Sequence, residues 1–254
     1  MAVRETAKRR RALAELLMAD GSVQIGALAE QFQVSRETIR KDLIFLEQSG
    51  VGTRSRGGAL VIGTAVEPPL TARCVENVEK KRAIARAALE LVPDGGTILL
   101  DSGSTINEFA RLLCQRSGLT IITNSAQIPT ILAGSDNTVL ALGGQMRPLS
   151  MACVGMWTLA ALQTLRADLA VLGTNGILHH TGPCTSVYSE AEVKKTMLQR
   201  ASRCAVLCDS SKFAEESIIQ LADWSQISCL VTDGAAPLET LQEIRRSTRV
   251  LVAR

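Results

Sequence analysis

Between residues 101 and 105 the chain reads Asp101-Ser102-Gly103-Ser104-Thr105, directly after the aliphatic run 97–100 and directly before a stretch of helical period. Hydroxyls, free backbone N–H groups at a helix start and a glycine that permits close approach converge there, which is the chemistry of an anion cradle. Four more aliphatic runs end in polar clusters. Run 119–123 ends in Thr123-Asn124-Ser125, and 138–142 in Gly143-Gly144 followed by Arg147. Run 168–172 ends in Gly173-Thr174-Asn175-Gly176, and 204–208 in Asp209-Ser210-Ser211-Lys212. Glycine, serine and asparagine also make ordinary turns, so no single cluster is specific. Five in succession point to a pocket for a polar ligand.

Such clusters need a frame to bring them together. The runs 97–100, 119–123, 138–142, 168–172, 204–208, 229–232 and 250–252 read as short strands, whereas 75–92, 107–113 and 238–244 carry helical period. Alternating strands and helices predict an α/β domain, a parallel sheet covered on both faces. Ligands bind such sheets at the carboxyl ends of the strands, where the clusters fall.

A second chemistry lies in the first sixty residues, which hold ten Lys and Arg against seven Asp and Glu, while the remainder is balanced at 18 against 18. A positive end on a neutral body suits contact with a polyanion. Leu13, Leu16 and Leu17 mark one helix that stops at Asp20-Gly21, and Ile25, Leu28, Ala29 and Phe32 mark a second. A short turn leads into a third helix, capped by Ser35 and running to about 48, whose Ile39, Leu43 and Leu46 share one face. Arg36, Glu37, Thr38, Arg40 and Lys41 are left for the outside. This is the helix-turn-helix pattern that sets side chains against base edges and phosphates in the major groove. Arg54 and Arg56 follow on a predicted hairpin, or wing, placed to touch phosphate.

Composition narrows the classes. Apolar residues at 46% and charged residues at 21% are globular proportions, which excludes disorder and fibres. Aromatics at 3% supply few stacking platforms for single-stranded nucleic acid. Seven dispersed cysteines read as reduced, buried small hydrophobes in a cytoplasmic protein. The two histidines, His179 and His180, are adjacent, and no Cys/His pairs stand at zinc spacing, so neither metal nor cofactor is expected. Residues 1–11 lack the apolar core of a signal peptide, and the apolar stretch 151–162 is too short to span a bilayer, so no membrane partner is expected.

The run from Ser35 to Leu43, with Thr38-Ile39-Arg40-Lys41-Asp42-Leu43 at its centre, together with Arg9, Leu13 and Leu17 before it and Arg56-Gly57-Gly58-Ala59 after it, resembles the signature of DeoR-type bacterial transcriptional regulators. The resemblance continues over nearly the whole chain. It implies a small winged helix-turn-helix domain (1–62), a linker (63–75) containing Glu67-Pro68-Pro69, and an effector and oligomerisation domain (76–254) with a Rossmann-like fold of the isomerase and CoA-transferase type. By the same resemblance, Asp101, Ser102, Gly103, Ser104 and Thr105 form a phosphate loop, and Asn124, Gly143, Gly144, Gly173, Asn175 and Gly176 belong to neighbouring pocket loops; Ser125 and Arg147 join them from their places at the strand ends. Ser189 to Lys194 and Asp209 to Phe213 match further family motifs, which implies Glu190, Lys194 and Lys212 as ligand contacts. The spacing of Glu190 and Lys194 alone equally describes a solvated pair on a helix surface.

The expectation is a regulator, a repressor of a carbohydrate-utilisation operon by family habit, that binds double-stranded operator DNA as a dimer or tetramer and responds to a phosphorylated sugar. Two other readings remain open. The body could be a sugar-phosphate isomerase-like enzyme, with Asp101, Glu190, Lys194 and Lys212 as its acid, base and electrophile, although an enzyme has no use for the basic head. It could also be a ligand-free oligomerisation module.

Overall fold

A computed structural model of the chain describes residues 2–20, 22–48, 53–54, 60–61 and 67–253. The amino-terminal part contains α1 (Ala2–Asp20), β1 (Ser22–Val23), α2 (Ile25–Gln31), α3 (Arg36–Gln48), β2 (Thr53–Arg54) and β3 (Leu60–Val61). Leu13 and Leu17 of α1, Leu28 of α2, and Ile39, Leu43 and Leu46 of α3 close one small core. Strand β3 pairs antiparallel with both β1 and β2, which makes the wing. The predicted wing residue Arg56 lies outside the described residues.

Of the stretch expected as a linker, residues 67–75 are packed rather than free. Glu67 and Leu70 are buried, α4 spans Leu70–Val75, and the Leu70 N–H donates to the Leu149 carbonyl at 2.7 Å. The helix expected over 75–92 is broken. Asn77 takes a left-handed conformation (φ 51°), and α5 (Val78–Ala88) begins after it.

The larger domain continues with β4 (Gly96–Leu100), α6 (Ser104–Leu113), β5 (Leu119–Thr123), α7 (Ile128–Ile131), β6 (Thr138–Ala141), β7 (Gln145–Arg147), β8 (Ala152–Val154), α8 (Met156–Gln163) and β9 (Ala167–Gly173). It ends with β10 (Cys184–Thr185), α9 (Tyr188–Arg200), β11 (Ala201–Leu207), β12 (Ile219–Gln220), β13 (Cys229–Asp233), α10 (Leu238–Ile244) and β14 (Arg249–Ala253). Seven strands form one sheet in the order β14-β13-β11-β9-β4-β5-β6, with every neighbouring pair parallel. Successive side chains of a strand point to opposite faces. Accordingly Ile98 and Leu100 pack with Ile84, Phe109 and Leu113 on one side, and Leu99 packs with Leu162, Val193 and Met197 on the other. Both faces being covered, the strands read as unbroken aliphatic runs.

Strand order places the site. From β4 the chain steps outward through β5 and β6, then returns to β9 on the other flank of β4 and steps away through β11, β13 and β14. The carboxyl ends of β4 and β9 therefore flank a topological switch point, where diverging connections leave a crevice.

Candidate functional site

The crevice is lined by the end of β4 and start of α6 (Ser102 to Ile106), the end of β9 (Gly173 to Asn175), the end of β11 (Leu207 to Asp209, with Ser211 and Lys212), and Glu190 and Lys194 of α9. A wall that the sequence reading missed comes from Glu67, Arg73, Glu76, Asn77 and Lys81, with Ser150 beside it. Ser102, Gly103, Ser104, Thr105, Gly173, Asn175, Glu190, Lys194 and Lys212 are thus brought together as expected from their motifs.

Gly103 has φ 149° and ψ 154°, a region open essentially to glycine. From that turn its carbonyl accepts from the Asn107 N–H at 2.8 Å and α6 begins, with Ser104 and Thr105 in the first turn. The first turn of a helix has N–H groups without intrahelical partners, and here Ser104 and Thr105 of that turn line the crevice.

Charge at the site is mostly internally compensated. The Lys194 ammonium donates to the Asp101 carboxylate and to the Gly173 carbonyl, the latter at 3.2 Å, while the Gly173 N–H donates to Asp101 at 3.0 Å. Asp101 therefore lies just under the pocket floor. Burial pushes its pKa up, against the pull of Lys194. Arg147 is 2% exposed and lies between two carboxylates, Glu67 at 2.6 Å and Glu190 at 2.9 Å. Burial would raise the Glu190 pKa, but Arg147 and then Lys194 outweigh it and hold Glu190 below its ordinary value. Glu190 and Lys194 are both buried, so they are not a solvated surface pair.

Two cations face the crevice differently. Lys81 donates to the carbonyls of Arg73 and Glu76, the latter at 2.7 Å, and its burial lowers its pKa despite the nearby Asp209 charge. Lys212, on a 3-10 turn capped by Asp209, forms no ion pair among the described residues. Backbone N–H groups at a helix start together with these two ammonium groups can accept a doubly charged oxyanion.

Other expected pocket residues have structural positions. The Asn124 carbonyl accepts from the Cys153 N–H at 2.7 Å, and its side chain donates to the Cys153 carbonyl at 3.2 Å; Ser125 Oγ accepts from the Gln127 N–H at 3.2 Å. The Gly143 carbonyl accepts from Thr158 Oγ1 at 2.8 Å. Gly144 has a positive φ, and a Cβ there would stand 2.7 Å from the Val154 carbonyl oxygen. These four residues seat the β7–β8 hairpin, which delivers Arg147, and none lines the crevice. Gly176 packs its backbone against Glu215 instead.

In the amino-terminal part, Arg36, Glu37, Arg40 and Lys41 project outward from α3, and Ser35 Oγ accepts from the Thr38 N–H at 3.1 Å as the expected cap. Glu37 and Arg40 form an exposed pair at 2.8 Å. Asp42, inside the same motif, is buried and takes Arg9 and Arg10 at 2.7 Å each, locking α1 to α3. The sequence signal for that clamp was an acid four positions after Thr38, facing the apolar stripe instead of the basic side. Arg54 lies on β2.

Residues 9–65 match the model of the DeoR-like helix-turn-helix domain, and residues 76–234 match that of the DeoR C terminal sensor domain. A putative aga operon transcriptional repressor of Escherichia coli O157:H7 is 33% identical over 246 residues, 95% of this chain and 91% of that protein. The transcriptional repressor AccR of Agrobacterium fabrum is 32% identical over 99% of both chains. The glycerol-3-phosphate regulon repressor of Escherichia coli K12 is 29% identical, over 92% of this chain and 94% of its own. Among solved structures, D-ribose-5-phosphate isomerase in complex with phospho-erythronic acid shares 22% identity at a TM-score of 0.41, covering 54% of each chain.

Proposed function

Because this chain belongs to the DeoR family of DNA-binding transcriptional repressors, we propose that it holds a carbohydrate-utilisation operator closed until a phosphorylated sugar enters the crevice between β4 and β9. The observation that carries this reading is the oxyanion cradle: the start of α6 after Gly103, with Lys81 and Lys212 opposite. Ser102, Ser104 and Thr105 add hydroxyls, and Asn175 and Glu190 offer neutral and acidic acceptors for the hydroxyls of a sugar. The relatives' names point the same way, since one represses a glycerol-3-phosphate regulon and another a lactose phosphotransferase system.

The test is operator affinity, on the duplex that the protein selects from a random pool, titrated with triose, pentose and hexose phosphates. A tenfold fall in affinity requires about 1.4 kcal/mol of difference in effector binding between the DNA-bound and released forms. Lys212→Ala, which removes charge and leaves the cradle, shifts the effector concentration for half-release upward by about tenfold, the scale of one charge-assisted bond. No response to any sugar phosphate would refute the effector reading.

The head reads DNA through α3. In Arg40→Ala and Lys41→Ala, operator affinity falls while the thermal midpoint stays, because the exposed Glu37–Arg40 pair contributes little to stability. A lost phosphate contact lowers the salt slope by about one, and a lost base contact costs about 1–3 kcal/mol at a single position. Unchanged affinity in both variants would remove α3 from the groove. One helix-turn-helix reads too few base pairs to be selective, so the repressor acts as a dimer or higher even assembly on paired half-sites.

A further inference from the structure

Arg147 is among the largest fully buried side chains of the protein. A buried guanidinium is tolerated only with compensating charge, and replacing such ion pairs by apolar packing is often neutral or stabilising. Stability alone is therefore a poor reason for one here, in a domain whose core is otherwise aliphatic. What distinguishes this group is where its two carboxylates come from. Glu190 stands on α9 beside Lys194, inside the crevice, and Lys194 is bonded to Asp101 under the phosphate loop. Glu67 stands at the opposite end of the chain of charges, six residues after Val61, the last residue of β3. Its other oxygen takes Arg73 at 3.0 Å, and Leu70 nearby is bonded to Leu149 on the hairpin that carries Arg147.

We propose that Arg147 is the positioning residue by which the crevice controls the segment leading from the DNA-binding domain: Asp101, Lys194, Glu190, Arg147 and Glu67 form one buried ionic chain from the phosphate loop to that segment. The proposal rests on the effector reading above for its biological role, but the coupling is a property of the charges themselves. One guanidinium divides its attraction between two carboxylates. An anion that draws on Lys194 leaves Glu190 to lean harder on Arg147, which weakens the hold of Arg147 on Glu67, and the chain at Glu67 shifts its preferred placement. An ionic chain suits this task better than apolar packing, because the attraction between neighbouring charges changes with small shifts in distance and needs no repacking of the core.

The experiment is a ligand-free double-mutant cycle on the full-length protein. Asp101→Asn and Glu67→Gln are near-isosteric, each removing one charge from an end of the chain. The two residues share no bond, so independent effects on operator affinity multiply to within about twofold. We expect the double variant to depart from that product by about fivefold or more; agreement with the product overturns the proposal. Because no effector is present, this outcome is separate from that of the sugar-phosphate titration. A second arm repeats that titration with Arg147→Lys, which keeps the charge but not the two-pronged geometry, at a residue that does not line the crevice; it should still bind a responsive sugar phosphate by calorimetry while its operator affinity no longer follows it. A full operator response in Arg147→Lys also overturns the proposal. Should Asp101→Asn or Glu67→Gln fail to unfold cooperatively, the Arg147→Lys arm alone decides.

Discussion

Valine at position 103 should abolish the response of operator binding to sugar phosphates while leaving binding in their absence intact. The reason lies in the backbone more than in space. A Cβ on Gly103 meets nothing closer than an ordinary contact, 3.8 Å from Ile106. However, φ 149° with ψ 154° is a region that a β-branched residue enters only at a cost of about 1–3 kcal/mol, and the chain relieves that strain by turning. Turning the peptide at 103 re-aims the first N–H groups of α6, the proposed cradle. A cradle misaimed by about 1 Å loses several short oxyanion bonds together, each worth about 1.5–3 kcal/mol, so effector affinity should fall by at least about 100-fold. Calorimetric titration with the sugar phosphate that acts on the wild type measures this, and operator binding without effector supplies the control. An undiminished effector affinity would place the anion elsewhere than at α6.

Trp157→Glu should separate the proposed dimer into monomers and weaken operator binding by about 100-fold or more, the usual worth of a second tethered contact. From Asn137 to Leu165 the sequence contains one charged residue, Arg147, and that one is buried. The surface of β6, the β7–β8 hairpin and α8 is thus without exposed charge. Met156 and Trp157 are 77% and 76% exposed, and Leu140 on the edge strand β6 and Met146 on β7 are exposed as well. Apolar side chains of this size gathered on one stretch mark an association surface. A second copy is the partner that such a face suits, because a twofold interface sets each patch against its own image, where like charges would repel and an uncharged face does not. Sedimentation velocity at micromolar protein, with wild type and Trp157→Glu in parallel, reads the assembly. A variant that sediments as the wild type does would move the interface elsewhere.

Much of this molecule could be read along the chain. The apolar stripe of Ile39, Leu43 and Leu46 and the cap at Ser35 reflect repeats of 3.6 residues within a single helix, so they survive without knowledge of any neighbour. The aliphatic runs that became β4, β5, β9, β11 and β13 are equally local, and so is the polar punctuation at their carboxyl ends. Family motifs added Glu190, Lys194 and Lys212, all of which the fold brings to one crevice.

What the chain could not reveal was which ends meet. Five polar clusters looked alike, yet the crevice takes the ends of β4, β9 and β11, while those of β5 and β6 seat a hairpin. That division follows from the order of strands, set by where each crossover packs its helix, an interaction between segments tens of residues apart. Lys81, Arg73 and Glu67 entered the site because α4 and α5 fold back over the strand ends, and nothing in their own neighbourhood distinguishes them from solvated residues. Asp42 and Arg147 make the same point for charge. An ion pair buried between distant elements and a charge in water are written with the same residue types, and burial, which separates them by several kcal/mol per ion, is a property of the assembled core.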